Sequence, residues 1–147
     1  MHMRELAENE VYALEECLRE LADHHNKVSA LFGGTYPKHP FRETLASFEG
    51  DVRNGLSRIA AAEEDGKVLG FIKADIRSGD GKIDYLVVRK EARGKGYGKQ
   101  LMEWALDLFR NSGVRTVEVR VVDGNDAEAF YEKFGFRVCS QILRLDS

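Results

Sequence analysis

The β-branched run Ile83-Asp84-Tyr85-Leu86-Val87-Val88 leads into Arg93-Gly94-Lys95-Gly96-Tyr97-Gly98-Lys99, which opens an amphipathic stretch from Lys99 to Asn111. A strand feeding a glycine turn at the start of a helix makes an anion site. The first N–H groups of a helix lack internal partners, and the helix dipole favours negative charge there. Glycine lets the main chain approach a ligand where a Cβ would collide. Arg93, Lys95 and Lys99 add positive charge at the same spot. The segment reads as a diphosphate cradle.

Two nucleotide motifs fail on this segment. For G-x-G-x-x-G, counting from Gly94 puts Lys99 at the third glycine, and counting from Gly96 puts Leu101 there. A P-loop needs glycine where Arg93 stands, and Ser or Thr where Gln100 follows Gly98-Lys99. What remains is Arg-x-x-Gly-x-Gly, as Arg93, Gly96 and Gly98. An ordinary tight strand-to-helix turn carries such glycines too.

At 147 residues the chain fits one domain spanning 1–147, long enough to bury roughly two-thirds of its unfolded surface. A net charge of −3 gives no electrostatic case for nucleic acid or an anionic membrane. Apolar runs such as Val68 to Ile72 are too short for a transmembrane helix. Met1 to Glu10 carries three acidic residues and no apolar core, unlike a secretory signal. Cys17 and Cys139 lack metal-ligand spacing, so two reduced cysteines of a cytoplasmic protein, with no metal site, are expected.

Along the chain, Met3 to Ala7 is a short strand candidate, and Asn9 is placed to cap a helix from Glu10 to His25. That helix carries Val11, Leu14, Leu18, Leu21 and Ala22 on one stripe. A loop through Phe32 to Pro37 precedes a second helix from Phe41 to Asn54. Ser57 to Glu63 and Lys67 to Ile76 are strands joined across Glu64-Asp65-Gly66. A turn at Ser78-Gly79-Asp80-Gly81 leads to the strand Lys82 to Val88. After the glycine turn, Leu101, Trp104, Ala105, Leu108 and Phe109 fall at helical spacing before a stop at Gly113. Val114 to Val122, Asp126 to Phe134 and Arg137 to Leu145 complete the chain as strand, helix and strand. The order β-α-α-β-β-β-α-β-α-β predicts an α+β fold: a three-layer αβα sandwich with a mixed, mainly antiparallel sheet.

A second motif, Ala127-Glu128-Ala129-Phe130-Tyr131-Glu132-Lys133-Phe134-Gly135-Phe136, is similar to the A-x-x-F-Y-E-K-x-G-F signature closing many domains of the GNAT superfamily of N-acetyltransferases. The Arg93-Gly96-Gly98 loop resembles that family's acetyl-CoA pyrophosphate loop, and the resemblance covers about Ser57 to Leu145. It implies acetyl-CoA as co-substrate, a primary-amine acceptor and no metal. The main chain of Leu86, Val87 and Val88 would pair with the pantetheine arm, with an N–H near Val88 facing the thioester oxygen. Residues Gly94, Lys95, Gly96, Tyr97, Gly98 and Lys99 would hold the pyrophosphate through main-chain N–H groups, with Arg93 supplying charge. Tyr131 would protonate the leaving thiolate, which departs more easily as a thiol of pKa about 8.5.

One position departs from the pattern. Gly124 stands where many relatives carry an asparagine, and Asn125 is its neighbour. Asn125 either reaches the pantetheine amide or caps the helix at Asp126. The group that takes the proton from the attacking ammonium is open between Asp84 and Glu118, the latter matching a glutamate some relatives use. Either is equally read as a solvated carboxylate on a strand's polar face.

His24 and His25 end the first helix, where a cation favours the dipole, and a surface role is expected for both. Tyr36 and Phe41 border the segment where the family builds acceptor specificity. The resemblance also makes a homodimer one expectation. An acetyltransferase acting by positioning and oxyanion stabilisation is the leading reading. A non-catalytic acyl-CoA-binding module is the alternative. No motif in residues 1–56 names the acceptor, and nothing reveals the acyl chain length.

Overall fold

The computed structural model describes residues 2–121 and 127–146. Strand β1 (His2–Glu5) is followed by a 3-10 turn (Glu8–Leu14) and helices α1 (Glu15–Val28) and α2 (Phe41–Arg53). Strands β2 (Ser57–Glu64), β3 (Lys67–Arg77) and β4 (Asp80–Val88) come next. A single 3-10 turn (Lys90–Ala92), α3 (Tyr97–Asn111), β5 (Val117–Val119) and α4 (Ala127–Glu132) complete the described elements.

The strands form one sheet in the order β1-β2-β3-β4-β5, antiparallel except for the parallel pair β4–β5. Both hairpins have two-residue turns with left-handed central residues. Asp65 (φ 52°) and Gly66 (φ 77°) join β2 to β3, and Ser78 (φ 54°) and Gly79 (φ 80°) join β3 to β4. That backbone suits the twist of the flanking strands, and Asp-Gly adopts it readily. The second turn closes earlier than expected, so β4 starts at Asp80 rather than Lys82.

Both faces of the sheet are covered. Leu14, Cys17, Leu18, Leu45 and Phe48 pack with Ile59, Ala61 and Phe71 on one face. Leu101, Met102, Ala105 and Phe109 of α3, with Tyr131 of α4, pack with Ala60, Ile72 and Ile83 on the other. Strand β2 is therefore apolar and buried at four successive positions, Ile59 to Ala62, instead of alternating. Helix α3 ends where Gly113 takes φ 69°.

Four expectations change. The first helix divides, because the chain enters through a 3-10 turn whose cap is Ala7 rather than Asn9. The Glu10 carboxylate accepts the Ala7 N–H at 2.8 Å and also pairs with Arg4, drawing that entry against β1. Among the described residues strand β5 is confined to Val117–Val119, the ones that find ladder partners on β4, and residue 122 of the expected strand lies outside the described residues. Residues 137–145 form no strand; Ile142, Leu143 and Leu145 are at least nine-tenths exposed, so their apolar pattern meets no neighbouring strand. Among the described residues no helix is long and apolar enough to cross a membrane.

Candidate active site

Strands β4 and β5 run together only through Gly81↔Val117, Lys82↔Glu118 and Ile83↔Val119, whereas β4 continues against β3 to Val88. The side of β4 facing away from β3 is therefore unpaired from Asp84 onward among the described residues. The Arg89 N–H bonds to the Leu69 carbonyl at 2.8 Å, which makes Gly70↔Val88 a non-hydrogen-bonded pair of the antiparallel ladder. The N–H and C=O groups of Val88, and by alternation of Leu86, thus point to the open side. Those of Val87 point to Phe71 on β3. Of the three residues expected to offer main chain to a ligand, two are so oriented and Val87 is not.

The open edge runs into the glycine turn. Gly94 (φ 81°) and Gly96 (φ 83°) both take the left-handed conformation, and a Cβ on either would meet nothing within 4 Å. Gly96 is the N-cap of α3, and the helical ladder opens with Gln100 N–H to Gly96 carbonyl at 3.2 Å. The N–H groups of Tyr97, Gly98 and Lys99 precede it as the unpaired first turn. The Arg93 side chain is exposed, Lys95 lies 3.5 Å from Glu64, and Lys99 reaches Glu103 at 4.0 Å. The Tyr97 side chain is buried, and its hydroxyl bonds to the Glu64 carboxylate, raising its pKa to about 12. Its backbone, rather than its phenol, belongs to the turn.

Gly98 joins the turn to the second motif. A Cβ there would lie 3.6 Å from both the Phe130 ring and Val88 Cγ2, so the start of α3, the end of β4 and α4 meet at this residue. Tyr131, next along α4, is buried edge-on to Phe130 at 5.4 Å and Phe136 at 5.7 Å. Burial pushes its pKa to about 12, so the phenol, neutral at pH 7 in any case, holds its proton more tightly than a free tyrosine. Asn125 lies outside the described residues.

On the opposite face, a residue without any sequence signal organises the site. Lys73 of β3 is 1% exposed, and its Nζ lies 2.8 Å from Asp84, 3.0 Å from Asp75 and 3.0 Å from Asp51 of α2. Burial would lower the Lys73 pKa, but the hydrogen bond and charge of Asp84, then Asp75 and Asp51, outweigh it and raise the pKa. Asp84 reaches Lys73 because the ladder slips from Lys73↔Tyr85 to Ala74↔Ile83, leaving Asp84 as the extra residue of a β-bulge. Lys82 also approaches Asp84 at 3.4 Å.

Asp84 and Tyr85 then line one cavity of about 370 Å³ with His39, Glu43, Phe48 and Asp51. A second, more apolar cavity of about 230 Å³ shares His39, Thr44 and Tyr85 with it, and includes His25, Tyr36 and Phe41. His25 is thus partly withdrawn from the surface, 5.0 Å from the Tyr36 ring, and burial lowers its pKa. Asn26 fixes that loop, accepting the Tyr36 N–H at 2.8 Å and donating to the Tyr36 carbonyl at 2.6 Å. Glu118 stands apart: exposed on β5 beside Lys82, it lines neither cavity. No cluster of three or more His, Cys, Asp or Glu able to hold a metal occurs among the described residues.

Known proteins resemble this chain in fold and in sequence. The PaiA N-acetyltransferase of Thermoplasma acidophilum, in complex with coenzyme A, superposes with a TM-score of 0.79 at 21% identity, covering 97% of this chain and 94% of that one. The 5-NmdU N-acetyltransferase of Pseudomonas phage PaMx11 is 31% identical over 111 residues, 74% of this chain and 76% of that protein. The L-methionine sulfoximine/L-methionine sulfone acetyltransferase of Pseudomonas paraeruginosa is 29% identical over 103 residues, 66% of this chain and 60% of that protein. A family model of the acetyltransferase (GNAT) family matches residues 14–136, and with relatives that are themselves N-acetyltransferases the chain belongs to that family.

Proposed function

We propose that this protein transfers an acetyl group from acetyl-CoA to a primary amine by direct attack of the amine on the thioester. The observation that carries the reading is the unpaired edge of β4, which ends against the glycine turn. The groups along it suit acetyl-CoA. Gly94 and Gly96 leave open space where side chains would project, and the first turn of α3 offers N–H groups for a diphosphate. The outward N–H and C=O groups of Leu86 and Val88 suit the amides of a pantetheine arm, as a strand edge suits an added strand. Arg93, Lys95 and Lys99 add charge at the phosphate end.

Bound there, acetyl-CoA supplies an acyl carbon activated as a thioester. The Val88 N–H donates to the oxygen on which charge develops. Asp84, which lines the cavity beside the open edge, takes the proton of the incoming ammonium through water; Glu118 lies outside that cavity. Tyr131 donates its own phenolic proton to the departing sulfur and is reprotonated from solvent before the next turnover.

The test is release of free CoA thiol from acetyl-CoA across a panel of amines. Thiol release that depends on the amine supports transfer. Tight acetyl-CoA binding with no release for any amine would leave the non-catalytic module as the correct reading.

A further inference from the structure

The cavity between α2 and β4 carries a charge and a lining that select an acceptor. We infer that it binds an amine with a second positive charge, such as a diamine or polyamine. The inference rests on the proposed acetyl transfer for which amine is modified, but its binding test does not need turnover.

Two independent features point to a cation. The first is surplus charge. Asp51, Asp75 and Asp84 converge on the single ammonium of Lys73, which is 1% exposed and so cannot be traded for solvent counter-ions. Lys82 adds one cation at Asp84, while Glu43 adds another carboxylate on the cavity wall. Three carboxylates, Glu43, Asp51 and Asp84, therefore line the cavity, while Asp75 shares the Lys73 ammonium from outside it, and His39 is the only basic side chain among the cavity's lining residues. Anions held together in a partly desolvated site repel one another, and an arriving cation relieves that cost.

The second feature is aromatic. Phe48 and Tyr85 meet edge-to-face at 5.0 Å on the cavity wall, and Lys73 Nζ already lies 5.1 Å from the centre of the Phe48 ring. Aromatic faces beside carboxylates suit alkylammonium groups. A volume of about 370 Å³ falls within the usual range for small-molecule sites, roughly 300–1,000 Å³. One end of the ligand would present its amine near Asp84 and the open β4 edge. The other would be held by Asp51 and Glu43.

The experiment is calorimetric titration of the full chain, with CoA present, using 1,4-diaminobutane, spermidine and butylamine. The expected result is at least tenfold tighter binding of the diamine or triamine than of butylamine, weakening with salt. Glu43→Gln and Asp51→Asn should each narrow that preference; Glu43 has no ion pair among the described residues, so E43Q tests charge without disturbing Lys73. Equal binding of butylamine, no binding of any of the three, or a preference unchanged in both variants would overturn the inference. Spermidine bound but never acetylated upholds the cavity's selectivity, and the transfer chemistry then stands or falls on thiol release across the amine panel.

Discussion

Lys73 Nζ donates to Asp84 Oδ2 at 2.8 Å, joining the centre of β3 to the bulged residue of β4. The same ammonium reaches Asp51, so one buried side chain ties helix α2 to the strand whose edge is left open. Lys73→Met should therefore cost about 3–5 kcal/mol, because removing one partner strands the others as uncompensated charge. Urea unfolding measures it. The raised Lys73 pKa also sets a pH signature. Its contribution is complete below the unfolded lysine value of about 10.4 and fades as pH climbs through the higher native value. The parent should lose this increment in alkali, and the Met variant should not.

Tyr131→Phe should lower kcat about a hundredfold or more while acetyl-CoA affinity changes little. The phenol itself can be followed by phenolate absorbance. With a native pKa of about 12 against about 10 when unfolded, its contribution to stability is whole below pH 10 and declines from there to about 12. The Phe variant should lack one late-titrating phenol. Undiminished turnover would remove the tyrosine from the chemistry.

Gly96→Ala should act on cofactor binding. At φ 83° a non-glycine residue costs about 1–2 kcal/mol, yet the added Cβ meets nothing within 4 Å, so the fold should survive. The methyl would stand in the cradle, and KM for acetyl-CoA should rise about tenfold or more, equivalent to about 1.4 kcal/mol. Gly55→Ala is the matched control, with φ 76° and open space but a position outside the turn. It should lose similar stability and keep its KM.

The two cysteines should react at very different rates. Cys17 is 1% exposed and burial raises its pKa to about 12, whereas Cys139 is exposed. The thiolate is the reactive form. A thiol reagent should label Cys139 in native protein and reach Cys17 only on unfolding, which Cys139→Ser would verify. Two equally fast thiols would mean that α1 does not shield Cys17.

The parts legible in the sequence are those fixed locally. Asp65-Gly66 had to turn with positive φ, and Gly94 and Gly96 had to open the start of α3, because few other residues adopt that backbone. Helix α2 follows from its apolar spacing within one residue at its C-terminal end. Lys73 was not legible: it sits in an apolar strand, and its partners come from three elements, one of them presented by a bulge. Nor did sequence pattern reveal that His25 would fold back onto Tyr36. Residues 137–145 err in the other direction. Alternation there describes a segment able to pair, but a strand also needs a neighbour, and no residue pattern supplies one.

The margin of β4 that is left unpaired among the described residues has a consequence for handling the protein. Exposed backbone donors and acceptors invite any extended polypeptide to zip onto them. A small molecule lying along that margin would shield it. Preparations stripped of nucleotide thioester should therefore be the stickier ones, and saturating them should restore good solution behaviour.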